Sequence, residues 1–227
     1  MPRSSWRPSS RSSANKMQKP YTVSVRTMRE SDARTIAGGV PARELMRRAG
    51  EAIFRAACWR PPVAILCGKG NNAGDGYVVA NYLHDAGVPC TVLLLSEEFS
   101  DEGRYFYELA REKDIPAAAY APGTDLSGYG SILDCLFGTG FHGAVAEPYA
   151  DAIRQINRSG AYVVSADLNS GLNGDTGLGE LFVRSDLTVS IGAFKHGHFC
   201  GYADEAMKEK VNCDIGIRIM EEKEETL

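Results

Sequence analysis

Short apolar runs alternate along the chain with stretches in which apolar residues recur every three or four positions, the pattern of strands exchanged with amphipathic helices. The first run, Val63-Ala64-Ile65-Leu66, ends in Gly68-Lys69-Gly70, and a helical pattern begins after Asn71-Asn72-Ala73-Gly74-Asp75-Gly76. Val88–Leu95, Ser131–Phe137 and Ala161–Leu168 are further strand candidates, with later ones at Leu187–Ile191 and Val211–Ile219. Helical spacing over Asp101–Lys113 and Glu147–Asn157 separates them. Ahead of the first core strand, an extended piece over Thr22–Thr27 leads into a helix over Met28–Ile36. Val40-Pro41-Ala42 then opens a second helix in which Leu45, Met46, Ala49, Ile53 and Ala57 share one face. The alternation predicts an α/β fold: a three-layer, Rossmann-like sandwich with a mainly parallel central sheet flanked by helices.

A single domain over residues 21–220 holds all of these elements, and a chain of 227 residues can bury roughly 70% of its unfolded surface. Residues 1–20 are rich in Ser, Arg and Pro without aliphatic periodicity and are expected to be a disordered basic tail; residues 221–227 form an acidic one. No apolar segment follows the basic residues, which excludes a secretory signal. A cytoplasmic location is expected, with a mitochondrial one as the alternative because the stretch is Arg- and Ser-rich and acid-poor. No run approaches the roughly 18 apolar residues of a membrane helix. The net charge is −4 although Arg3, Arg7, Arg11, Lys16 and Lys19 sit in the tail, so the domain itself is acidic and unsuited to nucleic acid. The six cysteines show no C-x-x-C spacing and are read as reduced core thiols.

In an open parallel sheet the ligand crevice lies beyond the carboxyl ends of the strands, so the residues that follow each strand carry the chemistry. Gly68, Gly70 and Ala73 fit a loose G-x-G-x-x-A. Asp75 argues against an ordinary dinucleotide loop, because a carboxylate at a helix N-terminus repels the pyrophosphate that would bind there. The bland alternative is a tight turn with Asp75 as a first-turn helix acid. Gly138-Thr139-Gly140-Phe141-His142-Gly143 is a fuller G-x-G-x-x-G and the better phosphate cradle; its alternative is a flexible turn around His142.

Asp134 lies inside an apolar strand, where an unpaired carboxylate costs several kcal/mol, so it needs a partner. That partner is either a basic side chain or a cation, since Asn72 and Ser170 bring hard oxygen ligands from neighbouring strand ends. Asp167 ends a strand and could bind a ribose hydroxyl, act as a general acid/base, or cap its own turn. Lys195 could bring positive charge to the same rim. His142, His196 and His198 are read as ordinary surface residues rather than metal ligands.

Taken together, these loops resemble the NAD(P)H-hydrate epimerases, the YjeF N-terminal domain family. The carrying residues are Gly68-Lys69-Gly70-Asn71-Asn72-Ala73-Gly74-Asp75-Gly76, Asp134-Cys135-Leu136-Phe137-Gly138-Thr139-Gly140 and Asp167-Leu168-Asn169-Ser170-Gly171-Leu172. Met28-Arg29-Glu30-Ser31-Asp32 and Glu44-Leu45-Met46-Arg47-Arg48-Ala49-Gly50 are similar to the family's opening, and the likeness runs from about Val23 to Ile219. The resemblance implies an isomerase that interconverts the R and S forms of NADH or NADPH to which water has added. It implies that Asn71, Asn72, Ala73, Gly74 and Asp75, with Gly138, Thr139, Gly140, Phe141, His142, Gly143 and Ala144, line the hydrate site. Asp167 would touch the substrate and act as the acid/base, and Asn72, Asp134 and Ser170 would bind one potassium ion per subunit. A homodimer and a separate ADP- or ATP-dependent dehydratase acting in the same pathway are further implications.

There are two departures from the family pattern. Ala73 stands where a glycine is common, and Leu168-Asn169 replaces Ile-Pro before Ser170. The competing readings are a non-enzymatic protein-binding or dimerising scaffold of the same superfamily and an ordinary NAD-dependent oxidoreductase. Retention of Asn72, Asp75, Asp134, Asp167 and Ser170 favours the enzyme over the scaffold, and the Asn-Asn-x-Gly-Asp loop disfavours the oxidoreductase.

Overall fold

The computed structural model describes residues 20–221; the basic and acidic tails expected at the two ends lie essentially outside them. The elements run β1 Thr22–Val23, α1 Val25–Ala37, α2 Ala42–Ala56, β2 Val63–Cys67, α3 Asn71–Asp85, β3 Cys90–Leu94 and α4 Asp101–Glu112. They continue β4 Ala117–Ala119, β5 Ser131–Cys135, α5 Tyr149–Arg158, β6 Tyr162–Ala166, β7 Ser185–Ile191, β8 Phe194–Lys195, α6 Ala203–Ala206 and β9 Met207–Cys213. Seven strands form one sheet in the order β4-β3-β2-β5-β6-β7-β9, every neighbouring pair parallel. Chain order runs outward to one side from β2 and then resumes at β5 on its other side. The reversal falls between β2 and β5, where the strand-end loops part and a crevice opens.

Strand alternation divides the core. Val63, Ile65 and Cys67 pack with α2, α3 and α4, whereas Ala64 and Leu66 pack with Ile153 and Ile156 of α5, which makes the three layers. On β5 the same alternation sends Leu133 and Cys135 toward α3 and places Asp134 on the α5 side. The residues beside it in register are Leu66 on β2 and Ser165 on β6.

Three elements depart from the sequence reading. Helix α1 begins at Val25 rather than Met28, because the Ser24 hydroxyl accepts the Thr27 amide at 3.1 Å and caps the helix. Helix α3 begins at Asn71, directly after Gly70 at φ +88°, so Asn71–Gly76 are its opening turns and not a loop. Asp75 is therefore in the second turn rather than the first. The glycines of that stretch serve packing. A Cβ on Gly76 would lie 3.0 and 3.1 Å from the Cys135 and Cys67 sulfurs, and one on Gly68 would lie 2.0 Å from the Leu136 carbonyl oxygen. The last strand is Met207–Cys213, not Val211–Ile219; Ile215 and Ile217 join the cluster around α1 and α2 instead of extending the sheet. The cysteines are free, and Cys67, Cys90 and Cys135 are core residues as read, but Cys58 and Cys200 are exposed.

Candidate active site

A cavity of about 400 Å³ sits at the β2/β5 reversal. The chain ends of the sheet supply Lys69, Gly138, Thr139, Gly140, Asp167 and Ile191, and α3 contributes Asn71, Asn72 and Asp75. The wall is α1, which presents Met28, Arg29, Asp32 and Ile36 from one face, joined by Met46 of α2 and by Ile215 and Ile217. Hydroxyls hold that wall in place: Ser31 Oγ accepts the Met220 amide at 2.9 Å and Thr35 Oγ1 the Arg218 amide at 3.1 Å.

Asp167 ends β6 at φ +63°, a left-handed conformation that Asp tolerates better than most residues. Its Oδ1 accepts from Lys195 Nζ and from the Ile191 amide at 3.2 Å, which leaves Oδ2 for a ligand. Lys195, the last residue of β8, is 1% exposed and also donates to the Ile191 carbonyl at 2.9 Å. His198 fixes the turn behind this pair. Its Nδ1 accepts the Lys195 amide at 3.1 Å and its Nε2 donates to the Asp167 carbonyl at 2.8 Å, a pattern that requires the neutral ring. Burial first and the Lys195 ammonium second hold its pKa down at about 4. His198 is thus buried, against the surface role read from the sequence, because its polar edges are satisfied by backbone.

Three other carboxyls line the cavity, those of Asp75, Asp32 and Glu102. Burial, reinforced by the charges of Asp167 and Asp32, pushes Asp75 well above the usual carboxylate range. Burial and then Asp167 raise Asp32 to about 6, with Lys195 acting the other way. An aspartate on the apolar stripe of α1, in step with Met28 and Ile36, was the signal that could have marked Asp32 as a site residue.

Behind the cavity floor lies the second strand-end carboxylate. Asp134 is wholly buried, and its Oδ1 accepts from the Ser170 hydroxyl at 2.5 Å and the Leu136 amide at 3.3 Å. Its Oδ2 accepts from the Ser165 hydroxyl at 2.9 Å and the Ser170 amide at 3.0 Å. Burial raises its pKa and these four donors oppose that rise. Ser170 Oγ also accepts the Phe137 amide at 2.9 Å, and Asn72 Nδ2 donates to the Phe137 carbonyl at 2.8 Å, so Asn72 and Ser170 meet on the backbone of Phe137 and Asp134 joins them through Ser170. Asn72 Oδ1 is buried with no hydrogen-bond partner among the described residues.

The remaining sequence candidates fall elsewhere. Ala73 lies in the core and Gly74 faces Met46 and Gly103, so the packed side of α3 takes both out of the cavity. Phe141 stacks on Phe137, whose ring also stacks on Tyr149, and His142 is exposed. Gly143 and Ala144 line a separate shallow groove with Phe182 and Tyr202. The turn after β5 swings these four residues outward, and Gly143 at φ +89° marks the turn.

The chain is 36% identical over 188 residues to an NAD(P)H-hydrate epimerase of Limosilactobacillus reuteri (strain DSM 20016), covering 77% of this chain and 86% of that one. It is 32% identical over 194 residues to an NAD(P)H-hydrate epimerase of Plasmodium knowlesi, covering 78% and 67%. Against a bifunctional NAD(P)H-hydrate repair enzyme of Coxiella burnetii it is 35% identical over 199 residues, which are 85% of this chain and 41% of the relative. The chain thus spans about two fifths of the bifunctional relatives it matches. The crystal structure of yeast ynu0 has the same fold, with a TM-score of 0.72 at 20% identity over 83% of this chain and 87% of that one. The model of the YjeF-related protein N-terminus matches residues 42–197, a span that holds α3, the loop after β5, Asp167 and Lys195. By that match, and by relatives aligned over most of its length, the chain belongs to the YjeF-related N-terminal family.

Proposed function

We propose that the protein is an isomerase that interconverts the R and S forms of hydrated NADH or NADPH. The observation that carries this reading is Asp167, held by a buried lysine at a strand end with one carboxylate oxygen turned to a cavity at the sheet's reversal point. Inversion at the hydrated carbon requires a bond there to break and re-form, with a proton moved at each stage, and Asp167 is the proposed acid/base. Asn71, Asp75, Gly138, Thr139 and Gly140 surround it and form the proposed substrate site. Arg29, whose Nη2 lies 2.9 Å from where a Gly140 Cβ would be, adds positive charge beside the glycine loop for a phosphate.

The residues around Phe137 suit a potassium ion. Asn72 Oδ1 is an unpartnered buried oxygen, and the Ser170 hydroxyl and Asp134 carboxylate are further hard donors beside it. With all four acceptor positions of Asp134 engaged, Asn72 and Ser170 would hold the ion and Asp134 would supply the compensating charge. A bound potassium ion supplies fixed positive charge beneath the loop after β5. The names of the bifunctional relatives support coupling to a second repair activity, here proposed as an ADP- or ATP-dependent dehydratase.

The test is to incubate purified protein with the separated R hydrate, with and without potassium, and to follow the R/S ratio. Rapid equilibration that depends on potassium is expected. An unchanged ratio in both arms would overturn the reading in favour of a protein-binding scaffold.

A further inference from the structure

The segment Met28-Arg29-Glu30-Ser31-Asp32 lies outside the residues that the family model matches, and the function proposed above leaves its cavity-facing carboxyl without a role. Inversion needs two proton-transfer groups, because the hydroxyl that leaves one face of the ring and the water that returns to the other each require one. Asp167 supplies one. Asp134 cannot be the other, since it is wholly buried behind the floor with its oxygens engaged. Asp75 lies in the cavity on α3, among the residues already proposed to bind substrate. Asp32 on α1 and Glu102 on α4 remain in the same cavity, and Asp32 is the one set against Asp167, whose charge acts on it.

Resting on the epimerase reading, we propose that Asp32 is a second catalytic residue, the donor of a proton to the leaving hydroxyl while the Lys195-paired Asp167 takes the proton of the returning water. As the carbon–oxygen bond breaks, the Asp32 carboxyl proton passes to the hydroxyl oxygen and water departs. The lone pair of the adjacent ring nitrogen closes the carbon–nitrogen double bond. Water then adds to the opposite face, its proton goes to Asp167, and exchange with solvent returns both carboxyls to their starting states. No electrons are gained or lost, and the net change is inversion alone. The groups that set the Asp32 titration are burial and the facing Asp167, which raise it to about 6, and Lys195, which opposes them. Asp75 on α3 and, around the same cavity, Arg29, Lys69 and Glu102 are the other charged or titratable neighbours.

The test compares wild type, Asp32→Asn and Asp32→Glu for R/S interconversion between pH 5 and 9, after subtraction of the uncatalysed rate, with NADP+ affinity as the binding probe. Wild-type kcat/KM is expected to fall above about pH 6, the limb set by Asp32. Asp32→Asn should lose at least about 100-fold in kcat at pH 6, flatten that limb and keep NADP+ affinity, and Asp32→Glu should restore part of the rate. An Asp32→Asn enzyme with wild-type kcat and an unchanged profile would overturn the proposal. So would loss of NADP+ affinity in step with activity, which would make Asp32 a binding residue only. Absence of interconversion by the wild type is a different outcome, and it removes the epimerase reading itself.

Discussion

Asp134 and Asp167 end neighbouring parallel strands two residues out of step, yet their surroundings differ in kind. Asp134 is met by hydroxyl and amide groups, with no basic side chain among its hydrogen-bond partners and no surface. Asp167 is met by a buried ammonium, sits on a left-handed residue, and keeps an oxygen for the cavity. A carboxylate whose lone pairs are all engaged can brace a loop but has little left for chemistry. One that is charged, oriented and half-satisfied can bind or move a proton. The pair therefore separates a structural from a chemical use of the same side chain at the same edge of the sheet.

Substitutions at each site can break or sharpen this contrast. Asp167→Asn keeps the shape and tolerates the positive φ but leaves the buried Lys195 ammonium without its counter-charge, so interconversion should fall by roughly 10²–10⁴, read from R/S equilibration rates on protein checked to be folded, with a stability loss of about 3–5 kcal/mol beside it. If it retained the native rate, the chemical side of the comparison would collapse. Lys195→Met leaves Asp167 without its counter-charge, and denaturant unfolding should show a loss of about 3–5 kcal/mol. Asp134→Asn turns an amide N–H₂ toward groups that already donate, at a cost of about 1–3 kcal/mol. If potassium binds as proposed, adding it should raise the melting temperature of the wild type, and the same substitution should weaken that rise.

Asp32 offers a smaller effect of opposite sign. Its folded-state pKa of about 6 lies above the ordinary 3.8, so its proton contributes stability that is complete below about pH 4 and lost as pH rises through 6. Asp32→Asn should thus be more stable than wild type by about 1–3 kcal/mol at pH 8, with the gap closing toward pH 4. Equal stability at both pH values would show that the cavity does not burden this carboxyl. The smallest change is His142→Ala at an exposed position, expected to move stability by less than about 0.5 kcal/mol.

Apolar runs made β2, β3, β5 and β6 legible because buried parallel strands leave unbroken hydrophobic stretches. The start of α3 was hidden, since Asn71-Asn72-Ala73-Gly74-Asp75-Gly76 has poor helix propensity and its helix is imposed by close packing on Cys67 and Cys135. Ile215, Ile217 and Ile219 alternate as a strand would, but they serve the helices near α1, and periodicity cannot tell a sheet partner from a helix partner. Strand-end motifs marked Asn72, Asp75, Asp134, Asp167 and Ser170, while Lys195 was noticed without a role. Asp32 was missed although its place on the apolar stripe of α1 marks it, whereas the His198 brace depends on long-range contacts that no local pattern encodes.

The amides of Arg218 and Met220 reach back across 183 and 189 residues to the hydroxyls of Thr35 and Ser31. During synthesis, α1 cannot be fastened until the segment after β9 has followed it. The cavity is thus completed by the last-made part of the domain, and contacts of such sequence separation form late in folding. Amide hydrogens of α1 should accordingly exchange through local opening well before those of β2 and β5. The wall of the cavity would then open more readily than its floor.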